Sequence, residues 1–395
     1  MRSKLTFLFL LLMISFKALP LDNSAQISLI TTSPWQEELY AQFGHTAIRV
    51  QDPAKDIDIV FNYGLFSFNQ PFFAYRFAKG ETDYQICAAN FPDFMIEYQM
   101  KGVAVTEQII NLDSIEKNKI WDALLINMQP ENRVYRYNFF FDNCATKPRD
   151  IITKNINGKI IYPQPSHLYT FRQLTNQCTK PNTWGTFGTD LALGASSDRE
   201  ATAMEEMFLP AKLEAAFAGA IIQKDSIQIP LVKETVQLTE SIPYEEEVSA
   251  LTIFSPNTAC TLILILCLLI SFTQLKFKKQ IPARIFDTIL FTIAGISGCI
   301  LVFLTFISEH PCMSPNWNLC WLQPLHLLII PLIWVKRAEK GVIFYHFINF
   351  AALSIFLLCI KWIPQHFNIA FIPLILTLWS RSGSNIIYYL RNKRK

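Results

Sequence analysis

The chain has 395 residues, a formal net charge of +3 and a hydrophobic content of 51%, enough for two or three units at roughly 150 residues each. That average joins two unlike halves: residues 22–255 carry 19 Lys+Arg against 29 Asp+Glu, whereas residues 256–395 carry 13 against three within long apolar runs. No Lys/Arg cluster with interleaved aromatics occurs in the first half, which argues against nucleic acid as a partner.

The opening MRSKLTFLFLLLMISFKALP has a basic start and a short apolar core from Leu5 to Phe16. Residues 1–25 therefore read as a signal peptide or signal anchor, with Ala18 and Ala25 as alternative ends. Alternation and apolar runs predict strands at Ile27–Thr31, His45–Gln51 and Ile57–Tyr63, with Gly44 preceding the second and Gly64 closing the third. A short aromatic helix follows from Pro71 to Lys79, ended by Gly80. Strands at Tyr84–Ala88 and Val103–Leu112 flank a helix at Asp93–Lys101. Asp113 caps a helix over Ser114–Met128, and Val134–Phe141 reads as a strand entering a helix that starts near Cys144. Pro163–Pro181 is loop-like, Asp198–Phe208 helical, and the stretch to Asn257, with acidic Glu245–Glu247, is a connector. Hairpins without βαβ periodicity make residues 26–255 an α+β domain.

Residues 256–395 hold five apolar runs, at Ala259–Leu275, Ile285–Ile307, Leu319–Val335, Val342–Ile360 and Phe367–Trp379. Read as an all-α bundle of about five transmembrane helices, they leave twelve of the 13 basic residues on one side, Arg381 among them, and only Lys361 opposite. The positive-inside rule then puts residues before Ala259 outside the cytoplasm and the basic tail inside.

Three cysteines, Cys87, Cys144 and Cys178, lie in the soluble half, so one thiol is left over even if two pair; Cys87–Cys178 is one partition. Neither CxxC nor HExxH occurs, which argues against a zinc site. The stretch VYRYNFFFDNCATKPRD, Val134–Asp150, brings a strand pattern to a helix start with Cys144 at the junction. Asp142 and Asn143 are N-cap residue types and Pro148 suits a first turn. A cysteine there faces the positive end of a helix dipole, which favours thiolate. The competing reading is a small buried residue that packs. A nucleophile needs a base, and only His45 and His167 precede the first apolar run; His45, on a strand after Gly44, is the better defined. A histidine on a strand facing a cysteine at a helix start is the layout of papain-like enzymes.

FGHTAIRV, VFNYG, YRYNFFFDNCATKPRD and DLALG…DR…MFLP, in that order, resemble the Lnb-type lipoprotein N-acyltransferases of the Gram-negative inner membrane. The resemblance continues into the EHP…NWN loop at Glu309–Asn318. A departure falls at Trp35 in TTSPWQEELY, where the family pattern leads one to expect glycine; it touches a loop outside the expected chemistry. More distantly, the His-before-Cys order resembles the circularly permuted papain-like group that includes lecithin:retinol acyltransferase, a fold-level analogy.

The resemblance implies a periplasmic catalytic domain on a multi-pass inner-membrane anchor, with no cofactor. It implies ping-pong acyl transfer in which Cys144 takes an acyl chain from a membrane phospholipid and passes it to the α-amine of a diacylated lipoprotein. His45 would act as base and acid, with the Cys144 backbone N–H donating to the oxyanion. Asn62 is the expected orienting residue and Tyr63 the alternative. Glu309, His310, Asn316, Trp317 and Asn318 are expected beside the membrane as interfacial anchors and caps, and His326 and His346 lie inside apolar runs. Two rivals stay open: a membrane-tethered cysteine hydrolase, peptidase or phospholipase, and a non-enzymatic membrane binding module.

Overall fold

A computed structural model describes residues 19–35, 38–69, 71–180, 182–242 and 254–393. Residues 1–18 of the expected signal peptide or anchor (1–25) and the acidic stretch Glu245–Glu247 lie outside the described residues.

In chain order the soluble half runs β1 (Gln26–Thr32), β2 (His45–Asp52), β3 (Ile57–Leu65), α1 (Phe73–Lys79), β4 (Asp83–Asn90), α2 (Phe91–Met100), β5 (Val105–Ile110), α3 (Ser114–Met128), β6 (Val134–Arg136) and α4 (Thr146–Lys154). It continues with β7 (Lys159–Ile161), α5 (Phe171–Thr179), α6 (Thr183–Ala192), α7 (Ala203–Glu206), α8 (Pro210–Ala218), β8 (Ile221–Lys224), β9 (Ile227–Pro230) and β10 (Val232–Thr239). Seven strands form an antiparallel sheet in the order β10-β5-β1-β2-β3-β4-β6, and β7-β8-β9 form a smaller one.

Both faces of the large sheet are covered, which is why β1 is buried almost throughout. Ile48, Phe61 and Tyr63 face one side, packed with Ala145 and Ile152 of the Cys144 segment and with α3 and α8. Ala47 and Val60 face the other, against Phe94 and Met95 of α2. Period-two alternation thus sorts neighbouring residues of one strand into different surroundings. The α3 helix starts as expected, with a reciprocal capping box between Asp113 and Glu116.

Three expectations change. The strand before Cys144 stops at Arg136, and residues 138–142 turn back on themselves through paired Asn138–Asp142 backbone bonds. Asp198–Phe208 is a 3-10 turn, an extended link and the short α7. The loop-like Pro163–Pro181 contains α5, whose start is fixed by a Thr170–Gln173 capping box.

The helical half comprises α9 (Pro256–Phe277), α10 (Gln280–Phe306), α11 (His326–Ile329), α12 (Glu339–Cys359) and α13 (Phe371–Lys393). Among the described residues, three helical stretches are long and apolar enough to cross a bilayer: Pro256–Phe277, Gln280–Phe306 and Lys336–Trp362. The third predicted run is not one helix. Pro324 and Pro331 remove backbone donors, and Leu319–Val335 becomes short 3-10 and α pieces. The fifth run forms the start of α13, which turns Thr377, Arg381, Ser382 and Ser384 inward. Arg381 is therefore not part of a solvated basic flank. It is wholly buried, ion-paired with Asp287 and bonded to Ser271 and Gln274. His346 joins this polar cluster through Asn385, which also donates to Asp287, and His346 and Asn349 both bond Ser382, while His326 bonds the Trp321 carbonyl and Tyr345.

The loop Glu309–Asn318 joins the halves. His310 Nε2 lies 2.7 Å from the Phe77 carbonyl oxygen, and the Asn316 amide donates to the Leu191 and Ala192 carbonyls at 2.9 and 3.0 Å. Asn318, fully buried, donates to Leu191 and accepts from the Trp321 indole. Gly194 and Ala195 donate backbone bonds to Cys312 and Pro315. Asn316 also accepts from the Asn318 backbone N–H, the capping role expected of it.

Candidate active site

The Cys144 turn is held from inside by Asn143. Its Oδ1 accepts from the backbone N–H groups of Ala145 and Thr146 at 2.8 and 2.9 Å, and its amide donates to the Phe139 and Phe208 carbonyls at 2.9 and 2.8 Å. Asn143 is thus the cap and an anchor at once, whereas Asp142 faces outward to Lys147 at 3.0 Å. Phe139, Phe140, Phe171 and Phe208 pack edge to face beneath the turn.

His45 opens β2. Gly44 before it adopts φ +77°, and a Cβ there would meet the Thr32 carbonyl oxygen at 2.6 Å, so no other residue fits. Ala47 is in register with Asn62, and His45 shares the Ala47 face, so Asn62 is its diagonal cross-strand neighbour. Its Oδ1 lies 3.1 Å from His45 Nε2. With a carbonyl oxygen as partner, Nε2 carries the proton and Nδ1 is left to accept one. Tyr98 of α2 lies parallel to the ring, centroids 6.4 Å apart. Tyr63 points to the other face, and its buried hydroxyl has no hydrogen-bond partner among the described residues. Of the two residues expected to orient His45, only Asn62 bonds it.

His45 and Cys144 line the same cavity, of about 140 Å³, with Tyr63, Gly64, Tyr84, Tyr98 and Tyr137. Gly64, at φ +103° where β3 departs from regular pairing, brings its backbone against Cys144. The backbone N–H groups of Cys144 itself and of Thr46, the residue after His45, favour the charged form of the thiol. His167 is exposed, meets Tyr169 edge to face, and is not among the residues around this cavity. Trp35 does line it, together with Lys101, whose Nζ lies 5.1 Å from the indole centroid. The departure at Trp35 therefore touches the site after all.

Electrostatics reverse one expectation. Burial pushes the Cys144 thiol up to about 11, outweighing the two backbone N–H groups that favour thiolate. Burial also lowers His45 below its ordinary 6.5, and the Asn62 bond opposes this only in part. Near neutral pH the pair is thiol and neutral imidazole, so attack needs proton removal by His45 in the reacting step. Tyr84, Tyr98 and Tyr137 are pushed up by burial and stay neutral. All nine cysteines are free, so the Cys87–Cys178 partition is not realised. Cys87 instead sits on β4 opposite Asn62.

Sequence reading missed Thr46, Tyr84, Tyr98, Tyr137 and Lys101. Thr46 and Tyr137 lie beside residues already singled out; the others come from elements whose approach only folding decides.

These observations describe a membrane protein in which an α+β domain, carrying a candidate cysteine–histidine site, is bonded to a helical half. Two family models match in the same order, the Lnb N-terminal periplasmic domain at residues 21–177 and the Lnb transmembrane domain at residues 246–393. The chain belongs to the Lnb family. Comparison with curated proteins and with solved structures finds no significant match.

Proposed function

We propose that this chain is a lipoprotein N-acyltransferase that moves an acyl chain from a membrane phospholipid, through a Cys144 thioester, to the α-amino group of a diacylglyceryl-cysteine lipoprotein. The observation that carries the reading is the shared cavity: Cys144, His45 and the Asn62 bond on His45 combine a nucleophile, a base and an orienting group. His45 Nδ1 takes the thiol proton as Sγ attacks the ester carbonyl. The backbone N–H groups of Cys144 and Thr46, which favour charge on the sulfur, donate to the oxyanion. The C–O bond breaks, His45 returns the proton to the departing lysophospholipid oxygen, and a thioester remains. The neutral α-amine then attacks the thioester, His45 takes its proton, the C–S bond breaks, and the thiol is restored. The 140 Å³ cavity holds the reacting carbonyl rather than a whole lipid, which suits substrates held by their chains in the bilayer.

The same reading places the α+β domain, residues 26–255, in the periplasm with a circularly permuted papain-like fold. The helical half, residues 256–395, lies in the inner membrane with its basic tail cytoplasmic. It includes five passages: three long apolar helices, the broken Leu319–Val335 segment and α13. The ends of α9, α10 and α12 that meet the soluble domain support this count. Phe254 bonds Trp184, Glu309 bonds Lys79, and the His366 backbone bonds Asp198.

The test uses the full chain in vesicles of phosphatidylethanolamine with isotope-labelled acyl chains, a diacylated lipoprotein, and mass spectrometry of its amino terminus. The expected product is a labelled amide on the α-amine with one lysophospholipid per turnover, lost in Cys144→Ala. Labelled free fatty acid instead would mean a hydrolase. Amide formation without label or mass gain would make the acceptor's own glyceryl ester the donor and refute the phospholipid route. Undiminished transfer by Cys144→Ala would end the thioester mechanism.

A further inference from the structure

The segment between β3 and β4 presents large aromatics outward next to the membrane half. Phe68, Phe72, Tyr75 and Phe77 are 64%, 84%, 54% and 49% exposed. A contiguous apolar patch of this kind on a soluble surface marks something that covers it. Phe72 is held at φ +55° ahead of α1, a conformation non-glycine residues rarely adopt, which fixes how the exposed ring is displayed.

Two features say what covers it. Tyr75 meets Phe303 of α10 at a tilt, ring centroids 5.9 Å apart, and the Glu309 N–H donates to the Lys79 carbonyl at 2.7 Å, so α1 is bonded to the chain leaving that apolar helix. Phe303 lies three residues before the last residue of α10, about 4.5 Å down its axis. That is interfacial depth, where aromatic side chains gather. The exposed Ile296 and Ile300 of α10 continue the apolar surface downward, and the exposed Phe306 ends the helix above them.

The second feature is a ladder of rings leading inward. Phe77 stacks on Phe73 at 5.8 Å, Phe73 meets Phe66 at 6.0 Å and Phe68 at 5.1 Å, and Phe66 meets Tyr84 at 4.8 Å. Phe66 and Tyr84 line the Cys144 cavity, where Tyr84 stacks on Tyr137 at 4.2 Å. The outer end of this ladder, Phe77, meets His310 of the loop that leaves α10, and its inner end lines the cavity of Cys144.

We propose that the rings of Phe68, Phe72, Tyr75 and Phe77 are embedded in the leaflet beside the soluble domain and, with Phe66 and Phe73, form the doorway through which a lipid acyl chain passes from the bilayer to Cys144. The embedding stands on the exposed rings and the α10 contact; the doorway rests on the acyl-transfer reading above. Arg76 and Lys79, paired with Asp83 and Glu81, flank the patch on the side suited to headgroups.

Two measurements on the full chain in phosphatidylethanolamine and phosphatidylglycerol vesicles test this. A photoreactive phenylalanine analogue at position 72, in the Cys144→Ser background, is expected to cross-link lipid acyl chains. The same analogue at Ile115, an exposed position at the start of α3, is not. Equal labelling at both positions, or cross-links from position 72 only to protein, would overturn the embedding. Because this arm needs no activity, its success with no acyl transfer from any donor would sink the transfer reading alone. In the second arm, Phe68→Ser/Phe72→Ser/Tyr75→Ser is expected to lower transfer from bilayer phospholipid at least about tenfold, since interfacial binding scales with buried apolar area. Acylation of Cys144 by a soluble short-chain activated ester should stay within about twofold, because these side chains stand outside the reacting centre. No loss toward the bilayer donor, or equal loss toward both donors, would refute the doorway.

Discussion

Asn62→Ala is the sharpest perturbation of the site, because it removes one atom contact with two separable consequences. The Asn62 Oδ1 to His45 Nε2 bond of 3.1 Å fixes both the ring orientation and the tautomer that leaves Nδ1 free. Truncation leaves a buried N–H without an acceptor, at about 1–3 kcal/mol. Expressed in the transition state, that is a loss of roughly 5- to 150-fold in kcat/KM. The pH dependence carries a second signature. His45 must be neutral to accept the thiol proton, so activity falls as pH drops through its pKa, which burial already holds below 6.5. The Asn62 bond raises that pKa, so its removal lets it drop further. The acid limb in Asn62→Ala should therefore move to lower pH while the plateau falls. Asn62→Asp should move the limb upward, since a carboxylate favours imidazolium. The assay is the pH profile of kcat/KM for lipoprotein N-acylation by the full chain in vesicles. A variant within twofold of wild type, with an unmoved acid limb, would refute Asn62 as the orienting residue.

A thiol held at about 11 should be alkylated by iodoacetamide at a rate rising about tenfold per pH unit from pH 8 to 10; a plateau reached below pH 8 would show a preformed thiolate instead. Asn143→Ala removes four hydrogen bonds around the nucleophile turn and should destabilise the soluble half by about 2–4 kcal/mol, from the lost cap and the orphaned carbonyls. Denaturant unfolding followed by tryptophan fluorescence checks it, and an unchanged midpoint would count against the anchoring role. Asp287→Ala strands the Arg381 guanidinium inside the helical half and should cost about 3–5 kcal/mol, read as a lower melting temperature in detergent. Paired replacement of both residues by apolar ones of similar volume should recover much of that loss.

Much of this protein was legible in local pattern. The alternation of HTAIRVQ and IDIVFNY yields two adjacent strands, and the Asp113…Glu116 pair yields a capped helix, because both signals act over a few residues. The division into an acidic globular half and an apolar, basic one is likewise compositional. The Cys144 turn declared itself through Asn143, whose side chain caps the chain immediately after it. The motifs FGHTAIRV and NFFFDNCATKP carried the family.

Other properties depended on neighbours brought from far along the chain. A helix dipole argues for thiolate, but burial against distant elements overrides it and raises the thiol. Asn62 and Tyr63 are adjacent in sequence and equal as candidates there. Strand register alone turns one toward His45 and the other into the opposite face. Trp35 reads as a loop residue until α2 brings Lys101 and Tyr98 beside it. Arg381 reads as a positive flank, yet it is internal because Asp287, nearly a hundred residues earlier, supplies its counter-charge. Sequence thus determined which elements form and which chemistry they carry, since those follow from periodicity, capping and composition. Tertiary structure decided protonation, orientation and which of two neighbouring residues serves the site, because desolvation and cross-strand geometry exist only once remote segments pack.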